Sequence, residues 1–309
     1  MANITINGAK YNDVPRVDVP SQSGGVSSFY ETNGTLSVTE NGTYDVKSKE
    51  NVEVNVASSG GEVDTDALIS GAYWAGKDVV YNGSDNIGKC KFANTELRSF
   101  VATSTTRLEE SAFDNCSKLV SFEAPNVTSV GQVCFGSNVA LISLNLKSLK
   151  SAEQSAFVNC RILENINFQS LESLESMVFG GCRSLKTLKF PKIKSIGTGL
   201  FINCSALEIL EFSEKGSSSR LTFGRNNFNR CNNFKALILR NEVMHTLNGT
   251  SGYLSPTIEN GTGFIYVPRN LLETYKTATN WSVYADQFRA LEDYTVDGTL
   301  SGDIDETKI

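Results

Sequence analysis

Hydrophobic and polar positions recur along most of the chain with a period of 22 residues. Five phenylalanines stand 22 residues apart, one precedes them by 21 residues, and one follows them by 27. These are Phe92, Phe113, Phe135, Phe157, Phe179, Phe201 and Phe228. The unit around them reads small residue–Phe–x–x–Cys–x–x–Leu–x–x–Ile–x–Phe, as in Ala156 to Phe168. Self-similarity at a fixed period of this length predicts a repeat architecture.

Each unit contains one short stretch of alternating character, such as Leu185–Phe190, and one stretch rich in Gly, Ser and Asn. Alternation predicts a half-buried strand. A unit this short cannot bury its apolar face alone, so neighbouring units must stack, with parallel strands about 4.8 Å apart. The predicted fold class is mainly β: a solenoid of 22-residue repeats with a parallel sheet, a small N-terminal β module and a short helical C-terminal cap.

Further residues of the unit match a known pattern. Ser195–Cys204 reads Ser-Ile-Gly-Thr-Gly-Leu-Phe-Ile-Asn-Cys, Ser129–Gly131 repeats its start, and a proline follows the strand at Pro125, Pro191 and Pro268. These residues resemble the BspA-like subgroup of leucine-rich repeats, over about residues 79 to 290. The resemblance implies a leucine-rich-repeat solenoid that serves as a surface adhesin or binding protein.

The chain departs from this pattern at three places. Asn138 stands where the unit has Cys. A Ser-rich insert, Ser213–Ser219, stretches the spacing to Phe228, and a second insert, Asn241–Gly263, is expected to interrupt the array.

The segments outside the repeats divide the chain into five parts. We expect a β-rich attachment segment at 1–60, a linker and N-terminal cap at 61–78, the solenoid at 79–267, a helical cap at 268–291 and an acidic tail at 292–309. In the first part, Asn-Gly pairs predict hairpins over Thr5–Tyr11 and Leu36–Val46. Ser21–Gly25 and Ser58–Gly61 have the composition of flexible links.

The C-terminal cap is expected to contain two helices. Proline suits a first helical turn, and Leu271, Leu272 and Tyr275 follow Pro268 at helical spacing. Residues 281–288, with Trp281 and Phe288 at their ends, predict a second short helix that packs back on the solenoid.

The N-terminal segment carries a second resemblance. Ile4–Gly8, Asp13–Pro15 and Thr39–Val46 are similar to the openings of structural proteins from prophages of gut Firmicutes. This resemblance implies a virion component, which lysis would release without a secretion signal.

The charge and hydropathy of the chain argue against some classes of partner and some cellular locations. The net charge is −6 without a visible Lys/Arg cluster, which argues against nucleic acid. The sequence contains no run of about 18 apolar residues, which a membrane-spanning helix would need. The start, MANITINGAK, lacks the basic segment and apolar core of a secretory signal. We therefore expect the protein to be located in a virion or on a bacterial cell surface, and a cytoplasmic location is the alternative.

Candidate chemistry is sparse. The cysteines at Cys160, Cys182 and Cys204 are one repeat apart, so they should stack as buried core residues. His245 is the single histidine, and a metal or nucleophilic site would need convergent partners that the sequence does not pattern around it. Asn115, Asn159 and Asn203 precede cysteines, where their amides are expected to bond backbone groups of a turn. The sequence predicts no enzyme, cofactor or metal.

The outward positions of the strands are the predicted binding surface. One row reads Ser121, Ser143, Asn165, Thr187, Ile209 and Ala236, and the next Glu123, Asn145, Asn167, Lys189, Glu211 and Ile238. We expect the ligand to meet the polar middle of these rows, and a plain solvated face is the alternative interpretation. The predicted site residues are Asn145, Asn165, Asn167, Thr187, Lys189 and Glu211. The apolar C-terminal end predicts cover from an insert or the cap.

The sequence thus predicts a non-enzymatic binding or adhesion protein, on a phage tail or a bacterial surface, that recognises a protein or a glycan. A soluble intracellular interaction scaffold is the alternative. The identity of the ligand and the oligomeric state stay open.

Overall fold

The repeats form a solenoid in which most coils contribute a short strand to each of two faces. The computed structural model describes residues 76–81, 83, 85–250 and 252–294, and the backbone of six strands between residues 4 and 56. Strands are numbered along the chain. The N-terminal strands outside both faces are β1 (Ile4–Ile6), β2 (Ala9–Tyr11), β3 (Arg16–Asp18) and β4 (Ser28–Tyr30). The first face contains β5 (Thr35–Val38), β6 (Asn51–Val56), β7 (Asp78–Tyr81), β9 (Ser99–Val101), β11 (Ser121–Glu123), β13 (Ser143–Asn145), β15 (Asn165–Ile166), β17 (Thr187–Phe190), β19 (Ile209–Phe212), β21 (Ala236–Leu239), β23 (Phe264–Val267) and β24 (Phe288–Ala290). The second face contains β8 (Asn86–Ile87), β10 (Arg107–Leu108), β12 (Ser129–Val130), β14 (Ser151–Ala152), β16 (Ser173–Leu174), β18 (Ser195–Ile196), β20 (Thr222–Phe223) and β22 (Thr246–Leu247).

The strands of both faces pair in parallel with a register of one repeat. On the first face Ser121 pairs with Ser143, and on the second face Ser129 pairs with Ser151. The 22-residue period of the sequence therefore becomes the translation from one coil to the next. The predicted parallel solenoid is confirmed, and the structure also contains a second parallel sheet that was not predicted.

Two columns of phenylalanine rings fill the core between the faces. In the column that the sequence revealed, from Phe92 to Phe228, successive ring centroids are 5.1 to 5.9 Å apart and the rings lie within 16° of parallel. Strand residues such as Phe100, Phe122 and Phe190 form the second column. All are buried, so loss of one ring would cost about 3–5 kcal/mol.

A buried column of cysteines satisfies backbone carbonyls of the preceding coil. Cys160 Sγ donates to the Phe135 carbonyl at 3.1 Å, and Cys182 and Cys204 repeat this contact with Phe157 and Phe179. Asn138, which stands where the repeat has Cys, makes an equivalent hydrogen bond: its Nδ2 donates to the Phe113 carbonyl at 2.9 Å. The prediction that these cysteines are core residues is confirmed.

The asparagines before the cysteines share a backbone conformation. Asn115, Asn159 and Asn203 have φ of 56°, 61° and 62°, in the left-handed region that Asn tolerates better than most residues. Gly181 takes the corresponding place with φ 77°. The predicted bonding of these amides to backbone was wrong for Asn115, whose Nδ2 donates to the side-chain Oδ1 of Asn94 at 2.9 Å. The left-handed backbone conformation of the turn therefore explains why Asn or Gly recurs at this position of the repeat.

The C-terminal cap differs in part from its prediction. Helix α1 (Pro256–Glu259) lies in the second insert, and α2 (Arg269–Thr277) follows Pro268 as expected. The expected second short helix is present as a 3₁₀ helix, Ser282–Gln287, and a further 3₁₀ helix spans Leu291–Tyr294. Phe288 instead begins β24, which pairs in parallel with β23. The reason is that Phe288 and Ala290 are both buried, which is the period of a strand.

The second insert also keeps the array intact. Within Asn241–Gly263, strand β22 pairs with β20, and β23 then pairs with β21. The expectation that this insert interrupts the solenoid was therefore wrong: it is a coil with an enlarged corner.

The N-terminal strands are described by their backbone pairing. The hairpin around Asn7-Gly8 is confirmed by antiparallel pairing of Ile4 with Tyr11. Strands β3 and β4 pair antiparallel, and the predicted link Ser21–Gly25 lies outside the described residues. Strand β5, expected in a hairpin over Leu36–Val46, pairs in parallel with β6, and β6 pairs with β7. Residues 39–50, 57–75 and 295–309 lie outside the described residues.

Candidate functional site

The first face presents the outward rows that the sequence predicted. Ser121, Ser143 and Asn165 are in register, as are Glu123 and Asn145. Between them Phe122 and Leu144 point into the core and are buried. Farther along, Thr187 pairs with Ile209, and Lys189 with Glu211. The predicted ladders therefore exist in two runs, since the face changes from one sheet to another between β15 and β17.

The predicted site residues have different surroundings. Asn145 and Thr187 are exposed, and Asn145 Nδ2 lies 3.4 Å from Glu123 Oε1. Asn167 follows the end of β15 and accepts a hydrogen bond from Gln169 Nε2 at 2.8 Å, so it lies beyond the ladder. The backbone of Asn165 lies in β15.

Lys189 and Glu211 belong to an ion-pair network. Lys189 Nζ lies 3.8 Å from Glu211 Oε2, and Arg240 Nε pairs with Glu211 Oε1. The Glu211 side chain is 13% exposed. These contacts hold the Glu211 carboxylate within the protein, so Lys189 is the more accessible of the two predicted residues.

The cap covers the C-terminal end of the first face. Ile209, Ala236 and Ile238 pack with Tyr266 and Leu291 in a second buried cluster. The Arg289 guanidinium lies 4.4 Å from the centre of the Phe264 ring. Cover of these apolar outward positions by the cap is thereby confirmed, and the open part of the face ends before Ile209.

The open part contains a shallow depression that the sequence did not single out. It has a volume of about 210 Å³ and is lined by Ser99, Ser121, Ser143, Glu123 and Asn145, among others. Of the predicted site residues, it includes Asn145 alone. Counting back one repeat from Ser121 on the strand pairing would have found Ser99.

Charged and apolar side chains border this depression. Asp78 accepts hydrogen bonds from Arg98 Nε at 2.9 Å and Ser99 Oγ at 2.6 Å. The Arg98 hydrogen bond is the main cause of a lowered pKa of Asp78, so this carboxylate is ionised at neutral pH. Val120 and Ile142 are 38% and 42% exposed at the positions preceding β11 and β13. The open face therefore combines a polar centre with aliphatic flanks.

His245 lies in the joint between solenoid and cap and not on either face. Its Nδ1 accepts a hydrogen bond from the Leu221 amide at 3.0 Å, and its carbonyl accepts one from Trp281 Nε1 at 2.9 Å. Its own amide donates to Tyr275 Oη at 2.8 Å. Burial, with the nearby Arg220 charge, lowers the pKa of His245 to about 4. The neutral, buried imidazole packs edge-on against the Phe223 ring, so His245 has a structural role in this joint.

The cysteine column is equally unsuited to nucleophilic chemistry. Burial raises the pKa of Cys116 to about 11 and that of Cys231 to about 12. Because the thiolate is the reactive form, these thiols are inert at neutral pH. Within the described ranges, no cluster of three His, Cys, Asp or Glu side chains could hold a metal ion. Nor does any helix in that part of the chain have the length and apolarity to cross a membrane.

Coils with parallel strands on two faces and stacked aromatic columns define the class of parallel-sheet solenoids. The sequence profile of the BspA type leucine-rich repeat region, in six copies, matches residues 85–208 and 154–251. These matches together span more than half of the chain. The chain therefore belongs to the BspA-type leucine-rich-repeat family.

Several solved structures are similar to this chain. A leucine-rich-repeat protein of T. pallidum, TpLRR, is 22% identical over 58% of this chain and 81% of its own, with a TM-score of 0.44. A leucine-rich cell surface protein of Faecalibacterium prausnitzii is 14% identical over 94% of each chain, with a TM-score of 0.30. The pneumococcal vaccine antigen PcpA is 10% identical over 93% of this chain and 85% of its own, with a TM-score of 0.31. The curated protein sequences gave no match. The family assignment rests on the profile match.

Proposed function

We propose that the chain is a non-enzymatic recognition protein that binds a partner through the open part of the first face. The observation that carries this proposal is the depression lined by hydrogen-bonding side chains of three strands, two of which are preceded by an exposed aliphatic residue, Val120 or Ile142. Membership of the BspA-type family supports a binding role. The ligand contacts that we propose begin at Ser99 and continue along the rows to Lys189.

The composition of this face favours a protein partner over a neutral glycan. The large hydrophobic residues that are exposed in the described part of the chain are Val80, Val120, Ile142, Ile162, Met177 and Val283, all of them aliphatic. An aliphatic flank complements an apolar protein surface, while the Ser and Asn side chains at the centre can both donate and accept hydrogen bonds. We therefore propose a protein at a bacterial surface as the partner.

The proposed binding residues include the six that the sequence predicted. Those six are Asn145, Asn165, Asn167, Thr187, Lys189 and Glu211. Asn145 is expected to contribute most, because it is exposed and lines the depression. Glu211 is expected to act indirectly, by positioning the Lys189 ammonium.

Cell-surface binding can be measured with a dye placed on Cys90. Among the described cysteines Cys90 is the exposed one, so a maleimide dye should label it selectively. Flow cytometry would compare wild type with Ser121→Arg/Ser143→Arg, which puts bulky charges into the depression. The matched control is Ser151→Arg/Ser173→Arg, which makes the same change at outward positions of the second face.

We expect the first-face variant to lose binding to bacterial cells and the second-face control to keep it. Asn165→Arg/Asn167→Arg should weaken binding in the same direction. Equal binding by wild type and both first-face variants would refute the proposed site.

The compartment is a further part of the proposal. The segments that resemble prophage structural proteins, Ile4–Gly8, Asp13–Pro15 and Thr39–Val46, lie largely outside the described residues, and the family match does not extend to them. Mass spectrometry of particles purified after prophage induction would test a virion role. Peptides that co-purify with capsid and tail proteins would support it, whereas peptides on the cell surface alone would assign the protein to the host envelope. Recovery in the cytosol alone would favour an internal scaffold.

A further inference from the structure

A second concavity lies at a corner of the solenoid, outside the first face. It is a cleft of about 320 Å³ bounded by the corner Pro191–Lys194, Glu172 of the preceding coil, and the first insert. The insert contributes Glu214, Lys215, Gly216, Ser217 and Ser219. We call this concavity the lysine cleft.

Lysines of two successive coils converge on this cleft. Lys192, Lys194 and Lys215 line it, and Lys194 Nζ pairs with Glu172 Oε2 at 2.7 Å. The charges of Lys150 and Lys192 also act on the Glu172 carboxylate. Among the described residues neither Lys192 nor Lys215 forms an ion pair, so their ammonium groups are available to a ligand. A cationic site on a chain of net charge −6 selects for anions.

The insert that closes the cleft adds no core. It lengthens the spacing between Phe201 and Phe228 to 27 residues, and Glu214, Lys215 and Gly216 are exposed. Gly216 has φ of 86°, which allows the tight turn at the tip. Insertions in repeat proteins map to loops, often on the binding face. The loop loses conformational entropy without burying apolar surface, so its contribution lies at the surface.

The mixture of charges indicates the chemistry of the ligand. Lysine ammonium groups act as point charges and do not select planar, bidentate anions as arginine does. The Glu172 and Glu214 carboxylates would repel a bare inorganic anion but can accept hydrogen bonds from hydroxyl groups. Ser217 and Ser219 add hydroxyl groups to the lining. The volume is at the small end of small-molecule sites.

We infer that the lysine cleft binds a saccharide that carries an anionic substituent, with Lys192, Lys194 and Lys215 on the anion and Glu172 and Glu214 on its hydroxyl groups. This inference does not depend on the first face, and its test uses other residues. The anion can be a carboxylate, a sulfate or a phosphate.

Isothermal titration calorimetry on the full chain can test the cleft with defined probes: trigalacturonic acid, a heparin-derived disaccharide and glucose 6-phosphate. The cleft variant is Lys192→Ala/Lys194→Ala/Lys215→Ala. The matched control, Lys89→Ala/Lys118→Ala/Lys186→Ala, removes three exposed lysines elsewhere and makes the same change in net charge. We expect at least one probe to bind wild type and the control alike, and to bind the cleft variant about tenfold or more weakly.

Neutral and non-saccharide probes test whether binding requires both the anionic group and the saccharide. Maltotriose should not bind, and 0.5 M NaCl should weaken binding of the anionic probe because exposed charges are screened. Glu172→Gln/Glu214→Gln should weaken saccharide binding and strengthen binding of inorganic phosphate. The inference is overturned if no anionic probe binds wild type, if both lysine triples lose binding equally, or if a hexaglutamate peptide binds the cleft as tightly as the saccharides.

Discussion

The buried His245 should make the folded state sensitive to mild acid. Its pKa is lowered to about 4, from an ordinary value of 6.5. In the unfolded chain the imidazole takes up a proton as the pH falls through 6.5, while the folded state resists protonation until about 4. The contribution of His245 to stability is therefore complete above pH 6.5 and is lost progressively between 6.5 and 4.

The magnitude follows from the two pKa values. Between pH 7 and pH 5 the linkage relation gives a loss of about 2 kcal/mol in the free energy of unfolding. The chain has one histidine, so no other imidazole titrates in this window. The neighbouring Tyr275 has its pKa raised by burial, so it stays protonated in this window. Asp114, whose pKa burial raises, works in the opposite direction.

The assay is urea unfolding followed by Trp281 fluorescence in a Trp74→Phe background. Trp281 is buried and its indole N–H donates to the His245 carbonyl, so it reports on the joint itself. The matched variant is His245→Asn, whose Oδ1 can take the place of Nδ1 as acceptor from the Leu221 amide. This variant should be less stable at pH 7 but should lose less stability on acidification, because it lacks the titrating group. Equal losses in the two proteins between pH 7 and pH 5 would refute the reasoning.

Further predictions concern the columns and the cap. Asn138→Leu should lower the free energy of unfolding by about 1–3 kcal/mol, since the Phe113 carbonyl loses its donor, whereas Asn138→Cys should restore stability in the same urea titration. Val133 has φ of 54°, so Val133→Asn should stabilise the fold by about 1 kcal/mol, and an unchanged midpoint would contradict this. Ellman's reagent should titrate Cys90 rapidly in native protein and the buried cysteines only after unfolding. Leu291→Arg should release the cap from the first face, seen as faster hydrogen exchange in β21 and β23.

Much of the fold was predictable because one repeat encodes it. The phenylalanine spacing predicts the stacking, and alternation in segments such as Leu185–Phe190 predicts the first face. The second face escaped prediction, since strands such as Ser129–Val130 are too short to show alternation. Pairing of β6 with β7 was missed because the Gly/Ser composition of Ser58–Gly61 indicated separation.

The candidate site was less predictable than the fold. The outward rows followed from the period, but the point at which the open face ends depends on the cap, because Leu291, which lies outside the repeats, packs with Ile209 and Ile238. The lysine cleft unites Lys192 and Lys194 with Lys215 only because successive corners stack and an insert folds over them. The one-repeat spacing of Glu172 and Lys194 indicates that they are neighbours, but the path of the insert that closes the cleft does not follow from the period.

The one-repeat register also bears on how such a rod can change length. Each coil makes its strand pairs with the coil before and the coil after, through equivalent positions such as Ser129, Ser151 and Ser173. Loss or duplication of a 22-residue unit by unequal recombination would join coils at equivalent positions. The stacked rings and thiols of the remaining coils would then stay aligned. The gene can therefore lengthen or shorten the reach of the protein in steps of one coil. The outward rows and the insert are free to diversify, because the columns that hold the coils together lie inside.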